Sequence, residues 1–247
     1  MSIPHPRPII TTGRLATRMS EQEQAELKSL LQAWAPDTAF VSDRKQLEVE
    51  LGMGNGMALY ERAKANPAMN FIGSEIYLNG LQTLLKALQK NPLPNVRIYP
   101  EDSRTLFTSG LLQPASLARV LILFPDPWPK SSHHKRRIVQ PELVETIKQH
   151  LVKNGELWVV SDWPSYAYHT IATLHPIKGL QLEQTVRAAA DCKPSARLAD
   201  GGEAGGEAAL GPQLLMQAPV WWQPTKYQEK AQIAGRNPWF IKAIKTA

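Results

Sequence analysis

Residues 46–65 read QLEVELGMGNGMALYERAKA: a β-type run, a loop with glycine at 52, 54 and 56, then a helical segment. The same rhythm recurs downstream. NFIGSEI (70–76) precedes GLQTLLKALQK (80–90), and NVRIY (95–99), RVLILF (119–124) and ELWVV (156–160) supply further β-type runs. Short strands alternating with helices argue for βαβ units, because parallel neighbours need a crossover that a helix provides. The expected fold class is therefore α/β: a doubly wound, mostly parallel, Rossmann-like sheet with helices on both faces. Upstream, Ser20 stands three residues before Glu23 in a capping-box pattern, and Leu27, Leu30, Leu31 and Trp34 follow at helical spacing, so a helix is expected there. WFIKAI (239–244) reads as a last strand.

A chain of 247 residues with 43% hydrophobic content can bury a sizeable core in one domain. Residues 1–19, rich in proline and carrying Arg7, Arg14 and Arg18, show no periodicity and read as a mobile basic arm, with a plain untethered tail as the alternative. Residues 20–247 read as a single domain. Within it, the stretch 186–213 is dominated by alanine, glycine and charge, too poor in large apolar side chains to build core, and reads as a loop. No run approaches the ~18 apolar residues of a membrane span, and prolines stand where a secretory signal needs an apolar stretch, so no membrane contact and a cytoplasmic location are expected. The single cysteine, Cys192, makes no internal disulfide and no thiolate cluster, and no metal is expected. A formal charge of +6 leans toward a polyanionic partner without identifying one.

Ligands of open parallel sheets bind beyond the carboxyl ends of the strands. Five expected strands end at or near an acid: Glu50, Glu75, Asp102, Asp126 and Asp162. Each alone has a plain alternative, the cap of the following helix. Five on one rim point to a ligand. The glycine loop lets that ligand approach the backbone. Glu75, nineteen residues beyond Gly56, stands where an acid accepts hydrogen bonds from ribose hydroxyls. The loop is not the dinucleotide fingerprint, and an acid-lined rim repels a pyrophosphate while suiting a ligand with positive charge. S-adenosyl-L-methionine, with its nucleoside, amine and sulfonium, meets those requirements.

VELGMGNG (49–56), FIGSEI (71–76) and above all FPDPWPKSSHHKRRIVQPELVETIKQHLVKNGELWVVSDW (124–163) closely resemble the bacterial tRNA (guanine-N7-)-methyltransferases, class I S-adenosyl-L-methionine enzymes that modify guanosine 46 in the variable loop of tRNA. The resemblance covers roughly Gln46 to Tyr166 and resumes at PTKYQEKAQIAGRNPWF (224–240). It implies that Glu50, Gly52, Gly54, Gly56, Glu75, Asp102 and Asp126 hold the cofactor. It also implies that Asp126 is the catalytic acid and that Lys130, Asp162, Thr225, Lys226, Tyr227 and Gln228 contact the substrate. The chain departs from the family's pattern in its last segment. TKYQ places Gln228 where a glutamate is usual, and WWQP (221–224) stands in place of the usual arginine-proline.

Guanine N7 carries an exposed lone pair, so methylation there needs alignment and stabilisation of positive charge rather than a strong base. Asp126, stiffened by Pro125 and Pro127, suits that task. Trp128 either stacks on the target base or packs against the sheet. Lys130, Lys135, Arg136 and Arg137 read as phosphate contacts, with a solvated helix entrance as the plain alternative. Two rival readings stand beside tRNA methylation: a class I methyltransferase with another substrate, and a catalytically silent RNA-binding relative.

Overall fold

The computed structural model describes residues 19–43, 45–183, 218–234 and 238–246. The stretch 186–213, and the expected basic arm apart from Met19, lie outside the described residues. The first half of the chain forms α1 (Glu21–Gln32), α2 (Thr38–Ser42), β1 (Gln46–Leu51), α3 (Met57–Ala65), β2 (Met69–Ser74), α4 (Leu78–Lys90), β3 (Val96–Tyr99), α5 (Ser103–Leu106) and β4 (Leu117–Leu123). A 3-10 turn (Ser131–Arg136) follows, then α6 (Pro141–His150), β5 (Leu151–Ser161), α7 (Pro164–Leu174), β6 (Leu180–Leu182), α8 (Lys226–Ile233) and β7 (Trp239–Lys245). α1 begins as its sequence requires: Ser20 Oγ accepts from the Glu23 N–H at 3.2 Å, and the Glu23 carboxylate accepts from the Ser20 N–H at 2.7 Å.

The strands form one sheet in the order β3-β2-β1-β4-β5-β7-β6. β1 to β5 run parallel, and β7 enters antiparallel between β5 and β6. This is the doubly wound, mostly parallel α/β sheet expected from the β-α rhythm. β6 was not legible in the sequence, for it is three residues long and pairs only with β7. Strand order reverses between β1 and β4, so the carboxyl ends of those two strands flank a crevice suited to a ligand.

Alternation along β1 sorts its side chains between the two faces. Leu47, Val49 and Leu51 join Val120, Ile122 and Val159 in the apolar cluster that α6 and α7 cover. On the other face, α1, α3 and α4 pack Leu27, Leu31, Leu59, Leu84 and Leu88 over Phe71 and Ile98. Glu48 and Glu50 point to this second face and are buried there. Arg62 of α3, itself buried, answers both, with Nε donating to Glu48 at 2.9 Å and Nη2 donating to Glu50. Arg119 of β4 joins Glu48 to Glu156 at 3.0 and 3.2 Å, and Lys242 of β7 extends the chain of charges from Glu156 to Glu183 at 3.0 and 2.7 Å. The ring of Trp221 roofs the network, 4.9 Å from the Arg119 guanidinium carbon and 6.0 Å from that of Arg62. Among the described residues, no helix is long and apolar enough to cross a membrane.

Removing one partner of a buried ion pair strands the other in a low-dielectric site. Arg62→Ala is expected to lower stability by about 3–5 kcal/mol, read by urea denaturation near neutral pH. Burial already pushes the Glu50 carboxyl above its ordinary range, against the pull of Arg62. Without Arg62 the folded protein holds a proton on the Glu50 carboxyl more tightly than the unfolded chain does. Stability of the variant therefore falls as pH rises through the carboxylate range, and its deficit relative to the parent shrinks on acidification.

Candidate functional site

At the β1/β4 crevice, turns from four strand ends enclose a cavity of about 420 Å³. The glycine loop forms its floor. Gly52, Gly54 and Gly56 have φ of 71°, 61° and 67°, values that side-chain-bearing residues rarely adopt. The loop also needs room from its neighbour: a Cβ at Gly80 of α4 would stand 2.2 Å from the Gly54 carbonyl oxygen. Gly80 thus lets α4 lie directly against the loop.

Glu75 ties that loop to the start of α4. Its Oε2 accepts from the Gly54 N–H at 2.9 Å, and its Oε1 accepts from Ile76 and Tyr77 N–H groups at 2.8 and 3.0 Å. A carboxylate offers about four lone-pair positions, and three of them take these donors. Burial raises the Glu75 pKa, the three backbone donors oppose the rise, and the charge of Asp126 adds to it. Asp102 caps α5 through the Arg104 N–H at 2.9 Å and is also gripped by the Arg104 guanidinium. Burial works against its ionisation, and the hydrogen bonds from Arg104 overcome that, leaving Asp102 below the usual carboxylate range.

Asp126 differs from both. No hydrogen bond among the described residues engages its carboxylate, and surrounding protein pushes its pKa up by desolvation. Its loop is held under backbone strain. Phe124 and Trp128, flanking Pro125-Asp126-Pro127, have φ of 48° and 41°, a region non-glycine residues enter only when their surroundings over-determine them. Arg137 supplies much of that determination. Only 3% exposed, it donates from Nε to the Pro127 carbonyl at 3.0 Å and from Nη1 and Nη2 to the carbonyl and hydroxyl of Ser165, each at 3.3 Å. Its Nη2 also lies 2.9 Å from His134 Nε2, which accepts. Arg137, expected to contact phosphate, is instead a buried buckle between the Asp126 loop and α7.

The other expected residues divide. Arg136, Lys226 and Tyr227 line the main cavity with Gly52, Gly54, Glu75, Asp102 and Asp126. Trp128 also forms wall rather than core: the Arg136 guanidinium carbon stands 4.8 Å from its ring, and His133 meets it edge-on at 5.8 Å. An adjoining cavity of about 210 Å³ takes in Glu50 and Thr225 and shares Gly52, Lys226 and Tyr227 with the first. Glu50 thus lies one cavity away, its carboxylate engaged by Arg62. Gly56 caps α3, while Lys130 and Asp162 lie outside both linings. Gln228, expected to contact substrate, turns to Trp222, whose indole N–H donates to its Oε1 at 2.9 Å. Its amide oxygen is thereby committed inside the fold. Arg62, Arg104 and Trp222 had no signal in the sequence beyond their residue types.

Sheet order and a cavity at the switch point give the chain a Rossmann-like build. A family model described as putative methyltransferase matches residues 44–197. The tRNA (guanine-N(7)-)-methyltransferase of Chromohalobacter salexigens is 40% identical over 141 residues, 57% of this chain and 57% of its own length. Its namesake in Shewanella woodyi is 37% identical over 183 residues, 72% of this chain and 76% of its own. That of Marinobacter nauticus is 34% identical over 185 residues, 69% and 77%. The chain spans just over half the length of the first of these relatives and about three quarters of the other two. It belongs to the tRNA (guanine-N(7)-)-methyltransferase family.

Arg137→Ala leaves the Pro127 and Ser165 acceptors without their donor and is expected to cost about 1–3 kcal/mol of stability in chemical denaturation. Arg137→Lys should recover little of it, because a single ammonium lacks the fork that reaches four acceptors from one position.

Proposed function

We propose that the chain transfers a methyl group from S-adenosyl-L-methionine to N7 of a guanosine in tRNA. The observation that carries the reading is Asp126, a carboxylate that no hydrogen bond engages among the described residues, held on a strained loop in the same cavity as Glu75, Asp102 and the glycine turn. The names of the curated relatives support the same reaction. The target extends to guanosine 46 of the variable loop on the sequence resemblance alone.

The cavity suits the cofactor. Its volume falls in the range of small-molecule sites, Glu75 keeps an acceptor position for a ribose hydroxyl, and its carboxylates favour a cationic ligand. Glu75, Asp102 and the Gly52–Gly54 turn would hold it, and when bound it supplies a methyl group activated by positively charged sulfur. Asp126 accepts hydrogen bonds from the donor edge of the guanine and so orients the base. Its negative charge also stabilises the positive charge that accumulates on the purine. N7 has no proton to lose, so no residue here acts as a base. The Trp128 face and the Arg136 guanidinium at the cavity wall suit a base and its phosphate, and exposed Lys130 extends the cationic surface.

Asp126→Asn keeps the shape of the side chain and removes its charge. We expect the single-turnover rate at saturating tRNA to fall by roughly 10²-fold, with cofactor affinity within about twofold. In the parent, the chemical step should be flat between about pH 7 and 9. It should decline on acidification as Asp126 takes up a proton, and because burial raises that pKa the decline begins above the ordinary carboxylate range. Full activity of Asp126→Asn, or a steep single-proton rise between pH 7 and 9, would remove the electrostatic role. A tRNA with 7-deazaguanosine at the target should bind near-normally and remain unmethylated.

Salt titrations separate the basic residues. Lys130→Ala with Arg136→Ala should reduce the salt slope of log K for tRNA by up to about 0.7 per lost phosphate contact, whereas Arg137→Ala should leave the slope unchanged.

A further inference from the structure

Both departures from the family's pattern in the last segment meet in space. Gln228 accepts the Trp222 indole N–H, which closes the stretch between them into a loop. Thr225 Oγ1 caps α8 within the same loop by accepting the Gln228 N–H at 3.1 Å. The loop sits on the strand end that carries Asp126. Trp222 packs edge-on against Phe240 of β7 at 4.9 Å and against Phe124 at 6.2 Å. Tyr227, next to Gln228, stacks on Phe124 at 6.5 Å and 28°, and its ring lies 3.3 Å from where a Cβ on Gly54 would stand. Phe124 is the first strained residue of the Asp126 loop.

We infer that Gln228 and Trp222 are a pair of positioning residues, whose hydrogen bond clamps residues 222–228 onto Phe124 and so holds the Asp126 loop and the Tyr227 wall in register. The inference rests on the methyl-transfer reading for its kinetic consequence and on geometry alone for its structural one. Under it, the glutamine is no sign of a silent relative: what position 228 must supply is an acceptor oxygen at that reach, and Gln228 supplies one.

Two measurements test it on the full chain in Gln228→Leu, Trp222→Phe and Gln228→Glu. Trp222→Phe keeps an aromatic ring and loses the donor. Hydrogen–deuterium exchange requires no activity. Leu and Phe variants should both exchange faster over residues 124–128 and 225–233 than the parent, and Gln228→Glu should not. Unchanged exchange at 124–128 in the first two would overturn the clamp. In single-turnover assays, the same two variants should be slowed by up to about tenfold with tRNA and cofactor affinities within about twofold, their combination should be no slower than the worse single variant, and Gln228→Glu should keep the parental rate. Weakened tRNA binding at an unchanged rate in Gln228→Leu, with Trp222→Phe normal, would make Gln228 a direct RNA contact and sink the proposal. A parent protein that methylates no tRNA would fail the functional reading, and the exchange comparison would still decide the clamp.

Discussion

A guanidinium buried at the face of a parallel sheet constrains everything around it. Arg62 can occupy that position only with both Glu48 and Glu50 beside it, and two buried carboxylates on one strand in turn demand further cations. Arg119 of β4 answers that demand at Glu48, Glu156 of β5 pairs with Arg119 in turn, and Lys242 of β7 pairs with Glu156, so the charge chain runs across the strands in sheet order. Apolar residues at the same positions could match its stability, but would not distinguish one strand neighbour from another. The residual cost is visible at Arg62 Nη1, which has no acceptor among the described residues, and the π face of Trp221 lies over the same guanidinium. The segment carrying Trp221 and Trp222 is thus drawn onto the sheet by the network and delivers α8 to the cavity.

The fold was legible because β1 announces itself. Leu47, Val49 and Leu51 alternate with Glu48 and Glu50, and the glycine loop and α3 follow without interruption. The alternation that identified the strand also held information about partners that residue types alone did not release. Glu50 at a strand end reads as a ligand for a cofactor, yet its orientation toward Arg62 depends on α3 crossing above it, which is a tertiary fact. β6 escaped because three residues with little burial carry no periodic signal.

The basic run after Asp126 shows a second limit. Read as a string, Lys130 to Arg137 is one charged patch. Wound as a 3-10 turn it has three residues per turn, so side chains three apart share a side. His133 and Arg136 fall together on Trp128, His134 and Arg137 fall together against α7, and Lys135 is left to solvent. One patch becomes a cavity wall, a buried buckle and two exposed cations, Lys130 and Lys135. The sequence contains the residues, while the period that sorts them is that of the 3-10 turn.

The rim acids divide by the same logic. An acid at the carboxyl end of a parallel strand faces the free N–H groups of the next helix, and local donors reach it before any ligand does. Glu75 and Asp102 are spent largely on such donors, and Glu50 on Arg62. Their removal therefore perturbs turns as well as binding. Asp126 is followed by Pro127, which has no N–H to offer. Among the described residues the Asp126 carboxylate takes no hydrogen bond, whereas those of Glu50, Glu75 and Asp102 are engaged by Arg62, by backbone N–H groups and by Arg104.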